Sequence, residues 1–261
     1  MVALKILWVF LGCLGSYLLG SIPFSVLVGL LTTGKDLREF NIGNPGGFNA
    51  ILTYGPVLGL TIMFLDFLKG TVSIALLDQL FQLSFFVAED GSNLWRTLVC
   101  ILGPAFCALG HNHPVWLKFR GGRGLGVLLG TFIYVNPLIF VTFIVVYGGI
   151  LIELLNFPPR VAMATNGILF VPVGLFLPVG PPWNTLFTDW TVGASGFVHL
   201  TQGFILLAVW LAWLPRLAPS LINIFRGKKE WSFSATEGQD LTEELETVQE
   251  FNESFQTEAD E

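Results

Sequence analysis

The sequence predicts an all-α integral membrane protein, a bundle of seven transmembrane helices followed by a disordered acidic tail. Of its 261 residues, 53% are hydrophobic and only 12% are charged, against roughly 25% charged residues in ordinary soluble domains. Charge is also unevenly placed, because residues 231–261 hold ten of the 19 acids and no Lys or Arg. The first 230 residues hold all 13 basic residues and nine acids, so this part of the chain is mildly basic.

Seven apolar runs supply the predicted helices. The first, residues 3–31, begins like a signal peptide, but its apolar stretch continues well past the length of one, so we expect a retained helix. The six further runs are residues 51–83, 94–110, 125–134, 138–155, 161–178 and 200–214. A membrane span needs about 20 apolar residues. The run at 51–83 therefore suits either one tilted helix or two, and the run at 125–134 is short for a span.

The placement of Lys and Arg predicts the orientation, because positively charged loops stay on the cytoplasmic side. With seven spans, one face receives ten Lys and Arg residues and the other receives only Lys5 and Arg96. The N-terminus is therefore expected outside and the C-terminus in the cytoplasm. Tryptophans near the ends of spans are expected at the membrane interface, and four have such positions: Trp95, Trp183, Trp190 and Trp213.

The composition divides the chain into a membrane domain, residues 1–229, and a disordered acidic cytoplasmic tail, residues 230–261. The tail has few large apolar side chains, so burial would not offset the entropy lost on ordering. No basic run exceeds two neighbouring residues, so no nucleic-acid partner is expected. The three cysteines form no CxxC pair, which indicates neither a disulfide framework nor a zinc site.

Polar residues collect in two loops on the predicted cytoplasmic face. The first loop, residues 41–49, holds Gly43, Asn44, Gly46, Gly47 and Asn49. Backbone N–H groups in such a loop can bind a phosphate, and the positive end of a following helix would assist. The same residues suit a plain turn between two helices. Taken alone, the first loop favours the turn.

The second loop shifts the interpretation towards an anion site. Its cations and glycines are Lys118, Arg120, Gly121, Gly122, Arg123 and Gly124. Guanidinium groups bind phosphate oxygens bidentately, and glycine lets the backbone approach a ligand closely. Positively charged loops on this side of the membrane are also expected from topology alone. The simpler interpretation, in which these cations only set the orientation of the protein, therefore stays open.

Charged residues inside apolar runs are costly and usually face a bundle interior or a cavity. Asp66 and Lys69 are three residues apart and can pair on one helical face, which favours a structural ion pair over contact with substrate. His111 follows the third run and is expected to donate a hydrogen bond in the pocket. No acid or cysteine stands at ligand spacing from it, so no metal site is predicted.

Six short motifs follow one another in order: GSIPF at 20–24, DLR at 36–38, GNPG at 43–46 with Asn49, LDFLKG at 65–70, GH at 110–111 and FRGGRG at 119–124. Together they resemble the bacterial acyl-phosphate:glycerol-3-phosphate acyltransferases, the PlsY family. The resemblance implies a seven-helix enzyme of the bacterial inner membrane that works on the cytoplasmic side. It implies transfer of a fatty acyl group from acyl phosphate to the 1-hydroxyl of glycerol 3-phosphate, giving lysophosphatidate for phospholipid synthesis, with no metal, coenzyme A or other cofactor.

Residue types and resemblance together give a candidate site. The catalytic candidates are Ser21, His111, Arg120 and Arg123. The substrate-binding candidates are Arg38, Gly43, Asn44, Gly46, Gly47, Asn49, Asp66, Lys69, Lys118, Gly121, Gly122 and Gly124. The expected partners are acyl phosphate, glycerol 3-phosphate and membrane lipids, with the acyl chain held in the apolar bundle.

Several side chains depart from the family pattern. Ile42, Phe48 and Leu52 stand where the family has serine, threonine and arginine, and Leu217 stands at a family histidine. Each lost charge-assisted hydrogen bond costs about 1.5–3 kcal/mol. The alternative is therefore a catalytically impaired paralogue that binds a lipid phosphate or partners the active enzyme. A transporter or channel is a third option, since intramembrane charges suit one.

Overall fold

The computed structural model describes residues 1–41, 43–87, 94–157, 159–176 and 198–226, and within these ranges all regular structure is helical. The α-helices are α1 Val2–Ser21, α2 Phe24–Thr33, α3 Gly47–Tyr54, α4 Pro56–Leu80, α5 Leu94–Asn112, α6 Leu125–Val135, α7 Pro137–Ile144, α8 Pro159–Phe176 and α9 Val198–Phe225. A π-helix, Val145–Leu154, continues α7, and single 3₁₀ turns lie at Leu37–Glu39 and Val115–Leu117.

Four segments of the described chain are long and apolar enough to cross a membrane: Val2–Thr33, Pro56–Leu80, Leu94–Leu117 and Pro137–Leu154. Leu125–Val135 and Val161–Leu175 are shorter apolar helices. Large apolar side chains of α1, such as Leu7 and Phe10, are exposed on the outside of the bundle. An apolar outer surface of this size suits lipid rather than water. The predicted all-helical membrane architecture is confirmed at this level.

The first two apolar runs are each broken into two helices. The run at 3–31 is interrupted at Ile22 and Pro23, between α1 and α2, and a proline there has no N–H to continue the helical ladder. The run at 51–83 divides at Gly55, whose φ of +85° separates α3 from α4. Pro56 then opens α4, a position where proline costs no hydrogen bond. The break at Pro23 shapes the candidate site.

The core is formed around α5, which packs against α1, α4 and α9, while α4 also packs against α6. Several polar side chains in this core are paired across helices, which offsets the cost of burying them. Ser73 Oγ donates to Ser16 Oγ at 3.0 Å, and Thr71 Oγ1 donates to the Gly130 carbonyl at 2.8 Å. Where α4 ends and α5 begins, Arg96 Nε lies 2.7 Å from the Asp78 carboxylate.

Trp213 is buried inside the bundle, so its side chain is not an exposed interfacial aromatic, contrary to the prediction. It is 2% exposed and packs in the core of the bundle with Val209 and Ala212, close to Gly124 of the second loop. Trp95 is half-buried in the first turn of α5. Trp183, Trp190 and the predicted tail, residues 230–261, lie outside the described residues.

Candidate active site

A narrow cleft opens where the end of α1 meets the end of α5. Its walls come from the α1–α2 junction, the first loop, α4 and the segment that follows α5. Among the sequence-predicted site residues, those that line it are Ser21, Asp66, Lys69, His111, Gly121 and Gly122. Pro45 also lines it. The first and second loops, far apart in sequence, therefore meet at one cleft.

The predicted pairing of Asp66 with Lys69 is confirmed. Lys69 Nζ lies 2.8 Å from Asp66 Oδ1, donates a short hydrogen bond to the Ile22 carbonyl and lies 3.4 Å from the Gly20 carbonyl. These acceptors match the three N–H groups of an ammonium. The carbonyls belong to the end of α1, where a helix leaves acceptors unpaired. Lys69 thus fixes α4 to the break between α1 and α2.

His111 lies between the Asp66 carboxylate and the second loop. Its Nδ1 is 3.6 Å from Asp66 Oδ1, and its carbonyl accepts the Gly122 N–H at 3.1 Å. The imidazole lies directly over Gly122, where a Cβ would be 2.2 Å from His111 Nε2. Only glycine fits this contact. The arrangement gives the imidazole an acid on one side and the glycine segment on the other.

The first loop is organised by Asn49, which is 1% exposed. Its Nδ2 donates to three main-chain oxygens, those of Leu37, Phe40 and Asn44, at 3.0, 3.2 and 3.0 Å. Asn49 therefore orders the first loop through main-chain hydrogen bonds and does not itself line the cleft. The remaining predicted members of this loop, Gly43, Asn44, Gly46 and Gly47, do not line the cleft.

Pro45 is the residue through which the first loop lines the cleft. Ser25 Oγ, in α2, donates to its carbonyl at 2.9 Å. Because α2 begins immediately after the break at Pro23, the same break that exposes the end of α1 also places the anchor for Pro45.

The cations of the second loop lie outside the cleft lining. Lys118 and Arg120 are exposed, Arg123 is half-buried, and Gly124 packs away from the cleft. A sequence of cations and glycines predicts an anion loop, but it does not predict which way each side chain points. The glycine backbone forms the wall, and the cations stand beside it.

Arg38 is already engaged in the first loop region. Its guanidinium donates to both carboxylate oxygens of Asp36, through Nε at 3.0 and 3.1 Å and through Nη2 at 2.5 Å. This pairing holds the pKa of the Asp36 carboxyl below its ordinary value. Arg38 does not line the cleft.

The comparisons with known proteins agree with the motifs. The family model described as glycerol-3-phosphate acyltransferase matches residues 10–213. The chain belongs to this acyltransferase family. The glycerol-3-phosphate acyltransferase of Desulfotalea psychrophila is 34% identical over 198 residues, covering 75% of this chain and 86% of the relative. That of Ureaplasma urealyticum serovar 10 is 29% identical over 230 residues, covering 85% of this chain and 86% of the relative.

Other matches in the family are partial or structural. Against the enzyme of Bacillus cereus strain G9842 the identity is 37% over 136 residues, and this chain spans 62% of that relative's length. The crystal structure of PlsY (YgiH), an integral membrane glycerol 3-phosphate acyltransferase in its glycerol 3-phosphate form, superposes with a TM-score of 0.60 at 25% identity over 88% of this chain and 98% of that one. Its lysophosphatidic acid form gives 0.59 at 23% identity and shares the fold. The resemblance to the PlsY family is confirmed.

Proposed function

We propose that this family member is a membrane acyltransferase that transfers a fatty acyl group from acyl phosphate to the 1-hydroxyl of glycerol 3-phosphate. One observation carries the proposal: Pro45 from the first loop and Gly121 and Gly122 from the second line the same cleft as Lys69 and His111. Family membership indicates the substrates. Membrane lipids surround the bundle and supply the medium for the acyl chain.

The reaction suits a cleft of this kind. The acceptor hydroxyl oxygen attacks the acyl carbon, the bond from that carbon to the phosphate oxygen breaks, and the hydroxyl proton leaves with the phosphate. Lysophosphatidate and inorganic phosphate result. Because acyl phosphate is already activated, alignment of the hydroxyl and neutralisation of the departing charge supply much of the acceleration.

The residue roles follow from position. In this proposal Arg120 and Arg123, which stand beside the glycine wall of the cleft, neutralise phosphate charge, and Lys118 adds to the field there. Ser21 and His111 contact substrate from the cleft wall. Lys69 has its N–H groups directed to Asp66 and to main-chain carbonyls, so these two residues hold the cleft in shape.

The proposed topology has seven spans in a bacterial inner membrane, with the N-terminus outside, residues 1–229 as one membrane domain and residues 230–261 as a cytoplasmic tail. Lys5 and Arg96 support it. Lys5 Nζ donates to the Val87 carbonyl at 3.2 Å, and Arg96 pairs with Asp78, all at the end of the bundle opposite the cleft. Lys5 and Arg96, the two cations expected on the outer face, therefore lie together, away from the proposed cytoplasmic face.

A second candidate function, an impaired paralogue that binds a lipid phosphate, has a specific observation in its favour. Leu52 is 53% exposed at the position where the PlsY pattern has arginine. An exposed leucine contributes no charge to a phosphate, and the cations of the second loop do not line the cleft. This chain would then keep the shape of the cleft with fewer groups to stabilise charge.

An acyl-transfer assay separates the two functions. Purified protein in detergent is incubated with acyl phosphate and labelled glycerol 3-phosphate. The acyltransferase predicts labelled lysophosphatidate that is lost in Arg120→Ala and Arg123→Ala and kept in Lys35→Ala, an exposed cation of the same face. Folded protein that forms no product above background and retains a phospholipid after purification would favour the paralogue.

A further inference from the structure

Helix α9 reaches the second loop from a distant part of the chain. Arg216 Nε and Nη2 donate to the Asn112 carbonyl at 3.2 and 2.7 Å, and Nη2 also donates to the Gly121 carbonyl at 2.9 Å. The Asn112 carbonyl accepts the Gly121 N–H as well, at 3.1 Å. One guanidinium therefore joins the end of α5 to a glycine of the cleft wall.

A second contact from α9 lies at the other end of the glycine segment. Asn112 Nδ2 donates to the Ala212 carbonyl at 3.3 Å, and the Asn112 side chain is fully buried. Gly124 has a φ of +77°, and a Cβ on it would lie 2.8 Å from both Asn112 Oδ1 and Trp213 Nε1. Helix α9 thus hydrogen-bonds the segment 121–124 at Gly121 and packs closely against it at Gly124.

We propose that Arg216 is a positioning residue for the second loop. It holds residues 121–124 in the conformation that forms the cleft wall, and in doing so it fixes where Arg120 and Arg123 stand. A segment with three glycines in four residues loses much entropy on ordering, so it needs external hydrogen bonds to stay in place. The planar guanidinium supplies several at fixed angles, which an ammonium cannot reproduce.

The role proposed for Arg216 is indirect. Its Nε and Nη2 are directed to main-chain oxygens of Asn112 and Gly121, and Arg216 is absent from the residues that line the described cleft. The residue acts through Gly121, which does line it. The effect on substrates rests on the proposed function, whereas the effect on the loop does not.

Loop order is measured directly with a spin label. Phe119 is 59% exposed beside the glycine segment, and Phe119→Cys can be labelled selectively because Cys13, Cys100 and Cys107 are all buried. In this background, Arg216→Gln should give a more mobile nitroxide spectrum, and Arg216→Lys an intermediate one. Arg226→Gln removes the same charge from the exposed end of α9 and should leave the spectrum unchanged. Identical spectra for Arg216→Gln and its parent would overturn the inference.

Steady-state kinetics separate positioning from a loss of folded protein. Arg216→Gln should raise KM for glycerol 3-phosphate about tenfold, equivalent to about 1.4 kcal/mol, with kcat per folded molecule changed less than KM. A lower Tm with KM and kcat per folded molecule both unchanged would mean a merely structural role and overturn the inference. A parent protein that transfers no acyl group would contradict the proposed function, and the nitroxide spectra would then decide the role of Arg216 by themselves.

Discussion

The imidazole of His111 and the α-carbon of Gly122 are in such close contact that a Cβ on Gly122 would lie 2.2 Å from His111 Nε2. The Asp66 carboxylate lies on the other side of the ring, with Oδ1 3.6 Å from Nδ1, so an imidazole displaced by a Cβ at position 122 would move towards this acid. Position 122 therefore controls the position of the histidine in the cleft.

Gly122→Ala is expected to displace the imidazole and to reduce acyl transfer by at least about tenfold, since misplacing a group by about 1 Å can cost 10²-fold. The assay compares initial rates of lysophosphatidate formation. The matched control is Gly148→Ala, where a Cβ meets nothing within 4 Å. Equal rates for Gly122→Ala and the unmodified protein would show that the His111 position is irrelevant to the reaction.

Asp66→Asn should destabilise the protein more than the double variant Asp66→Asn/Lys69→Gln. The single change leaves a buried ammonium without its counter-ion, which typically costs about 3–5 kcal/mol, whereas removal of both charges is far less costly. Lys69 is 2% exposed, so water cannot replace the carboxylate. Thermal unfolding in detergent measures the difference. If the single variant proves as stable as the parent, the ion pair does not hold α4 to the α1–α2 break.

Asn49→Ala should loosen the first loop, because three main-chain carbonyls lose the donor that they share. Each of these carbonyls also accepts a main-chain N–H, so the change removes one of two hydrogen bonds at each, typically worth about 0.5–1.5 kcal/mol net per bond. We expect a lower Tm and a higher KM for glycerol 3-phosphate. Asn49→Asp keeps the size of the side chain but replaces its N–H donors by a buried carboxylate that faces three carbonyl oxygens, so it should cost at least as much as Asn49→Ala. An Asp variant with parental Tm and KM would mean that these hydrogen bonds do not order the loop.

The pairing of Asp36 with Arg38 predicts a small, pH-dependent contribution to stability. The folded-state pKa of Asp36 is lowered by the guanidinium, so the stabilisation is present above the unfolded pKa of about 4 and is lost as pH falls through the folded value. The pair is partly exposed, with Arg38 at 41%, so the effect is at most about 1 kcal/mol. Tm of Asp36→Asn relative to the parent should be lower at pH 7, and this difference should shrink at about pH 3. A difference in Tm that stays constant with pH would contradict the assignment to the Asp36–Arg38 pair. The control is Glu39→Gln, for which no such pH-dependent difference in Tm is expected.

The sequence predicts features that depend on local pattern. Apolar runs give the helical membrane architecture, and the three-residue spacing of Asp66 and Lys69 predicts their pairing. Glycine and asparagine clusters mark the two loops that meet at the cleft. Each of these properties follows from residues that are close together in the chain.

Properties that depend on contacts between residues far apart in the chain cannot be predicted from local sequence patterns. Arg216 binds a carbonyl 104 residues away, and nothing near it in the sequence indicates the partner. The local sequence around Arg216 shows only a cation at the end of an apolar run, which the proposed topology alone also explains. Trp213 likewise reads as interfacial because hydropathy falls after it, whereas packing against the second loop buries it.

The most direct test of the account is a structure determined with glycerol 3-phosphate bound. We expect the phosphate to lie in the cleft, within hydrogen-bond distance of both the first loop near Pro45 and the glycine segment at Gly121 and Gly122. A phosphate bound elsewhere, or held by one loop with the other turned away, would contradict the claim that the two loops form one anion site.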